Sequence, residues 1–424
     1  MEKSMNHPRS TSRRDLLKAA GAATGLAYSG LGMAQNAPIR LGGTLPLTGG
    51  NASIGKVAQA TMQIWLEEIN KKGGLLGRKV ELVIYDDQTN PTLVPGLYTK
   101  LIDVDKVDVL IGTGTNLIAP AMPLIMERDK LMVGNLALAV NDSFNYDKYF
   151  QLMAYGPSGK SELAKGFFEV AAKLNPKPKT VALVGADAEF ANNALEGARE
   201  HAKRLGMKIV YDKSYPPNQV DFLSVVRSIA ATKPDLVFVG SYVADTSGLV
   251  RAAAEVKLKC TMFGGAMVGL QVAALKQALS GVINGVVNYE LYLPEPTMQF
   301  EGIKDVIAKY RKVASSQGLD PLGFYVPPTT YSQLQVVEQS IQATQSLDNN
   351  VLAHHIRKTT FKTVAGDIRF GARGEWAEPR ILMTQFQKVQ GKDLNQFDRP
   401  GTQVILYPEK FKSGQVITPY PIGG

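Results

Sequence analysis

The side chains of this 424-residue chain that could do chemistry are few and poorly clustered. Its four histidines are His7, His201 and the adjacent pair His354-His355, and neighbours on a helix do not face one another, so the pair reads as a solvated or packed feature rather than a ligand set. Cys260 is the only cysteine; it cannot form an intramolecular disulfide, and its short apolar surroundings suit a buried thiol. No Gly-x-Ser-x-Gly, His-Glu-x-x-His or Cys-x-x-Cys string occurs, so neither an activated nucleophile nor a metal set is legible. No enzymatic step, cofactor or metal is therefore expected. The most informative run is Gly112-Thr113-Gly114-Thr115-Asn116, just ahead of a helical stretch. The first N–H groups of a helix lack intrahelical partners and the dipole there favours negative charge, so Thr115 or Asn116 is expected to hold a carboxylate or similar acceptor. A plain N-cap by either residue is the competing reading. Leu117 stands where the third glycine of a dinucleotide fingerprint would be, which argues against nucleotide binding.

These residues sit in a repeating frame. From Ile39 onward short apolar runs alternate with amphipathic stretches, the pattern of parallel sheets covered by helices on both faces. Strands are predicted at Ile39–Leu45, Val80–Tyr85, Val107–Ile111 and Lys130–Val133, with helices at Val57–Lys71 and Thr92–Val104 between them. A second series starts near Gly156-Pro157-Ser158, with helices at Ser161–Leu174 and Asn192–Leu205 and strands at Thr180–Val184, Met207–Tyr211 and Leu236–Val239. Past Tyr289 longer helices take over, and strands return only at Gly366–Phe370 and Arg380–Val389. The tail from Asp393 is rich in Pro, Gly and Tyr and is expected to run irregularly over the surface.

The length suffices for two cores. The net charge of +9 is partly a property of the N-terminus, where five basic residues face two acidic ones, and the remaining basic residues are scattered without the runs a phosphate-tracking surface needs; nucleic-acid binding is not expected. Residues 1–34 read as an export signal: Arg13-Arg14, a weakly apolar Gly/Ala stretch, then small residues at Gly32 and Ala34. The arginine pair resembles a twin-arginine signal, with a general secretory signal as the alternative. Beyond it no run approaches the ~18 apolar residues of a membrane span. A soluble periplasmic monomer is the expectation.

Six strings in order carry a resemblance: Leu45-Pro46-Leu47-Thr48-Gly49, Glu68-Ile69-Asn70-Lys71-Lys72-Gly73-Gly74, Tyr85-Asp86-Asp87-Gln88, Asp221-Phe222, Pro234-Asp235-Leu236-Val237 and Pro408-Glu409-Lys410-Phe411. Together they resemble the type I periplasmic solute-binding proteins of ABC importers, in particular those for branched-chain amino acids. The resemblance implies two Rossmann-like lobes with parallel sheets, hinged by three crossovers near Tyr155–Ser158, Asn288–Leu291 and Val364–Asp367. Lobe one would comprise 38–156 and 290–364, and lobe two 157–289 and 365–424. A small solute would bind between them and be handed to a membrane permease. By the same resemblance the ligand is met by Ser53, Thr115, Asn116, Ala137 and Leu138 from lobe one and by Phe190, Tyr242, Ala266 and Met267 from lobe two. In amino-acid binders a hydroxyl belongs where Leu138 stands and an acid where Ala266 stands. Their loss points to an aromatic or apolar carboxylate rather than an α-amino acid. A branched-chain amino acid, a short amide or urea, and a ligand-sensing role beside a receptor remain the alternatives.

Overall fold

The computed structural model describes residues 37–421. The export signal lies outside them. Fourteen strands fall into two large sheets and one hairpin. Sheet one has the order β2-β1-β3-β4-β5. Its members are β1 (Ile39–Leu45), β2 (Val80–Asp86), β3 (Val109–Thr113), β4 (Met132–Asn135) and β5 (Tyr149–Gln151). All its pairs are parallel, with Leu41 of β1 opposite Leu82 on one side and Val109 on the other. Both faces are covered by helices, which is why β3 and β4 are buried at every position. The helix Ala52–Lys71 supplies one cover: Ile54, Val57, Ala58, Thr61, Met62, Trp65 and Ile69 recur at three- and four-residue spacing and all are buried.

Sheet two contains β6 (Thr180–Ala186), β7 (Lys208–Tyr215), β8 (Leu236–Ser241), β9 (Met262–Met267), β10 (Val286–Glu290), β13 (Leu382–Phe386) and β14 (Gln403–Tyr407), ordered β14-β13-β10-β9-β8-β6-β7. β6 to β10 pair in parallel, while β13 and β14 are added antiparallel. Phe168 of the helix Gly159–Ala172 stacks on Phe238 of β8 and Phe167 meets that ring edge-on, anchoring the helix to the sheet. β14 corrects the expected irregular tail. Gln403 and the Pro- and Gly-bearing flanks mask the strand in the sequence, but the pairing with β13 buries Gln403 to Leu406.

The helices Ile303–Gln317 and Val326–Thr344 return to sheet one. Gln333 donates to the carbonyls of Gly112 and Val133 (3.1 and 2.7 Å), Thr330 accepts from Asn135 (3.0 Å), and Trp65 donates to Glu338 (2.8 Å). The chain then forms a hairpin of β11 (Thr360–Thr363) and β12 (Gly366–Arg369), and Gly374 accepts from Gln151 beside β5. The third passage between the sheets thus follows Gly374 and precedes β13, later than the 364–367 expected, because the hairpin keeps those residues beside sheet one. Among the described residues no helix is long and apolar enough to cross a membrane, and no group of three His, Cys, Asp or Glu side chains could hold a metal ion.

Candidate functional site

The strands of both sheets end towards a common cavity, as open parallel sheets direct their ligands. On the sheet-one side, the loop after β1 is pinned by Asp86 at the end of β2. Its carboxylate accepts from the N–H groups of Leu47 (2.9 Å), Thr48 (3.1 Å) and Gln88 (2.8 Å) and from the Thr48 hydroxyl (2.7 Å). Burial alone would raise the Asp86 pKa, but these four donors outweigh it and hold the carboxyl below its ordinary value. Gly49 makes the turn at φ +81°, where a Cβ would stand 2.4 Å from the carbonyl oxygen of Gln88. The loop so fixed delivers Pro46, Asn51 and Ile54 to the cavity.

β3 ends at Thr113, and Gly114 (φ +92°) turns the chain into the short helix Thr115–Ile118. Thr113 is 2% exposed, lines the cavity, and its hydroxyl has no hydrogen-bond partner. The Thr115 hydroxyl accepts from the N–H of Leu138 (2.8 Å) and keeps its own proton free to donate. Asn116 bridges the two lobes: its Oδ1 accepts from the N–H of Phe190 (3.2 Å) and from the Tyr242 hydroxyl (3.1 Å).

On the sheet-two side Phe190 is the second residue of the helix Glu189–Arg204, and its ring lies edge-on to Tyr242, centroids 5.9 Å apart. Tyr242 is held at its helix start by Asp245: its backbone N–H donates to that carboxylate (2.7 Å), which also accepts from Tyr215. Burial raises the Tyr242 phenol pKa, so it remains a protonated donor. Val268 and Tyr325 complete the far wall, and the Tyr325 and Tyr289 hydroxyls meet at 2.7 Å. The cavity holds about 570 Å³ of space counted out to its solvent mouth, and none of its lining residues carries a formal charge.

Of the nine residues expected to meet ligand, Thr115, Asn116, Phe190 and Tyr242 line this cavity. Ser53, Ala137, Leu138, Ala266 and Met267 do not. Leu138, Ala266 and Met267 are fully buried, and both the N–H and the carbonyl of Met267 are held by the Asn288 side chain (2.9 and 3.1 Å). The expected hydroxyl and acid positions at Leu138 and Ala266 therefore lie off the wall. The neutrality of the cavity comes instead from the lining itself. Three of these five positions have a chain neighbour on the wall: Ile54, Leu136 and Val268. Sequence reasoning passed over Thr113, although its place at the carboxyl end of a strand is a usable signal; Tyr325, some 200 residues further on in a helical block, carries none.

A family model described as "Periplasmic binding protein" matches residues 38–391. The leucine-, isoleucine-, valine-, threonine- and alanine-binding protein of Pseudomonas aeruginosa is 25% identical over 373 residues, 86% of this chain and 93% of that protein. Among solved structures, a leucine-binding protein from Thermotoga maritima superposes with a TM-score of 0.69 at 20% identity, covering 82% of this chain and 96% of its own. A solute-binding protein of an ABC transporter from Rhodopseudomonas palustris, in complex with 3,4-dihydroxybenzoic acid, gives 0.68 at 22% identity, covering 84% of this chain and 94% of its own. Two helix-covered sheets, a cavity between their strand ends and a family match over most of the length agree: the chain belongs to the type I periplasmic binding proteins.

Proposed function

We propose that this chain is the solute-capturing component of an ABC importer and that its solute is an aromatic or apolar carboxylate rather than an α-amino acid. The observation that carries this reading is the character of the cavity's polar edge. It offers hydroxyl donors: Thr113, which has no partner, and Thr115, whose proton is free. No aspartate or glutamate lines it, and the Asn116 carbonyl oxygen, which could accept from an ammonium, already takes two hydrogen bonds. Taking an α-ammonium out of water without a counter-charge would forfeit on the order of 3–5 kcal/mol, roughly two to three decades of affinity. The rest of the wall, Ile54, Leu117, Leu136, Met153, Phe190 and Val268, suits an apolar or aromatic body.

Solute would dock on the donors of lobe one and then be covered by Phe190 and Tyr242, stabilising the form a permease recognises. The names of the leucine, isoleucine and valine binders among the relatives favour a second reading, a branched-chain amino acid. A thermal-shift screen of amino acids, aromatic acids, aliphatic acids and short amides separates the two. Large shifts with aromatic acids support the proposal, whereas a large shift with leucine or valine and none with acids lacking an amine refutes it.

A further inference from the structure

A second pair of unpartnered donors lies away from the cleft, where the chain passes between the sheets. Arg380 touches the connecting segments directly: its N–H donates to the Ala154 carbonyl (2.6 Å), and its guanidinium Nη2 donates to the Ala365 carbonyl. The guanidinium carbon lies over the rings of Phe300 (4.5 Å) and Trp376 (4.9 Å). No carboxylate of the described residues is within 4 Å of it, and its buried Nε has no hydrogen-bond partner. Trp376 is 5% exposed, and its indole Nε1 has no partner either. A buried donor left unmade is costly, and a desolvated guanidinium without a counter-charge is more so. Burial pulls the Arg380 pKa down to about 10.

Phe300, Trp376 and Arg380 are shared by two adjoining spaces. The inner one is narrow and walled by Leu152, Leu291 and Tyr292; the outer is a wide surface groove in which Val306, Val364 and Phe411 sit among charged side chains of both signs, such as Lys362 and Glu378. We propose that this is a second ligand site, taking a carboxylate whose oxygens meet the Arg380 and Trp376 donors and whose apolar body lies in the outer groove. A planar carboxylate matches the guanidinium edge. Bound there it would tie the crossovers together from outside the cleft.

The chain has two tryptophans, Trp65 and Trp376, so a ¹⁵N-labelled sample gives two indole N–H signals, assigned by Trp65→Phe. Trp65 already donates to Glu338 and serves as the internal control. Acetate and benzoate, titrated at constant ionic strength, are expected to move the Trp376 signal saturably, benzoate the more tightly, and leave Trp65 in place. Arg380→Gln should weaken that response at least about tenfold, with Arg380→Lys as the charge-keeping variant if the first does not fold. The site is independent of the solute proposed for the cleft, so Thr113→Val should leave the Trp376 response unchanged. The proposal is overturned if Trp376 does not respond in the tens of millimolar, if Arg380→Gln or Arg380→Lys responds like the parent, or if the response disappears with Thr113→Val and so only reports events in the cleft.

Discussion

The two banks of the cleft are built from different materials. The lobe-one bank sets the small hydroxyls of Thr113 and Thr115 beside the apolar side chains Ile54, Leu117, Leu136 and Met153, on a frame that includes the Asp86-pinned loop after β1. The lobe-two bank is side chain: Phe190 and Tyr242, held by a helix start and an aspartate cap, with Val268 beside them. A donor edge set by hydrogen bonds within one lobe is ready before any solute arrives, whereas an aromatic cover gains contact only when the lobes meet. Under the proposed function, lobe one recognises the head group and lobe two closes over the body.

The largest effect should come from the lobe-one bank. Thr113→Val keeps the shape and removes a buried donor; solute affinity measured by calorimetry should fall by about 1–3 kcal/mol, some tenfold to hundredfold. Little change would move recognition elsewhere. Asn116→Ala removes the acceptor shared by Phe190 and Tyr242, and should cost about 1–2 kcal/mol of affinity together with a larger radius of gyration for the solute-free protein in small-angle scattering. An unchanged radius would deny Asn116 its bridging role. Asp86→Asn strips the loop after β1 of an ionised acceptor and should weaken binding by about 1 kcal/mol, less than Thr113→Val because it acts only through the loop's position.

Asp87, next in sequence, sharpens the contrast between pinning and burial. It is fully buried, one of its oxygens has no partner, and burial pushes its pKa up to about 6. The folded state therefore holds this proton more tightly than the unfolded chain does. Its stabilising effect is present at pH 4 and is lost as the pH rises to 7, a contribution of about 2–3 kcal/mol. Asp87→Asn should remove that part of the slope in denaturant midpoints measured from pH 4 to 7; an unchanged slope would place the carboxyl in a solvated setting.

The frame of this cleft was legible in the sequence, and much of its wall was not. Alternating apolar runs and amphipathic stretches mark most of the strands of both sheets, because burying both faces of a parallel sheet demands that pattern. β14 escaped because an antiparallel edge strand can begin with a polar residue, here Gln403, which lies buried among side-chain hydrogen bonds. On the wall, Ile54, Leu136 and Val268 stand one position from Ser53, Ala137 and Met267. Neighbouring residues point in different directions, so an alignment slip of one residue takes a side chain off the wall: Ala137 and Met267 are core, and Ser53 is a half-buried helix residue. Thr115 and Asn116 were within reach because Gly114 marks the helix start they occupy, whereas Phe190 and Tyr242 came from the family resemblance alone.

The central claim is that the hydroxyl edge of lobe one, with no carboxylate beside it, selects a carboxylate without an ammonium. Calorimetry with matched pairs tests it most directly: leucine against 4-methylpentanoate, and phenylalanine against 3-phenylpropanoate. The acid lacking the amine should bind more tightly in each pair, by roughly two decades for the pair whose body fits; amino acids binding as tightly as their deaminated partners, or more so, would contradict it.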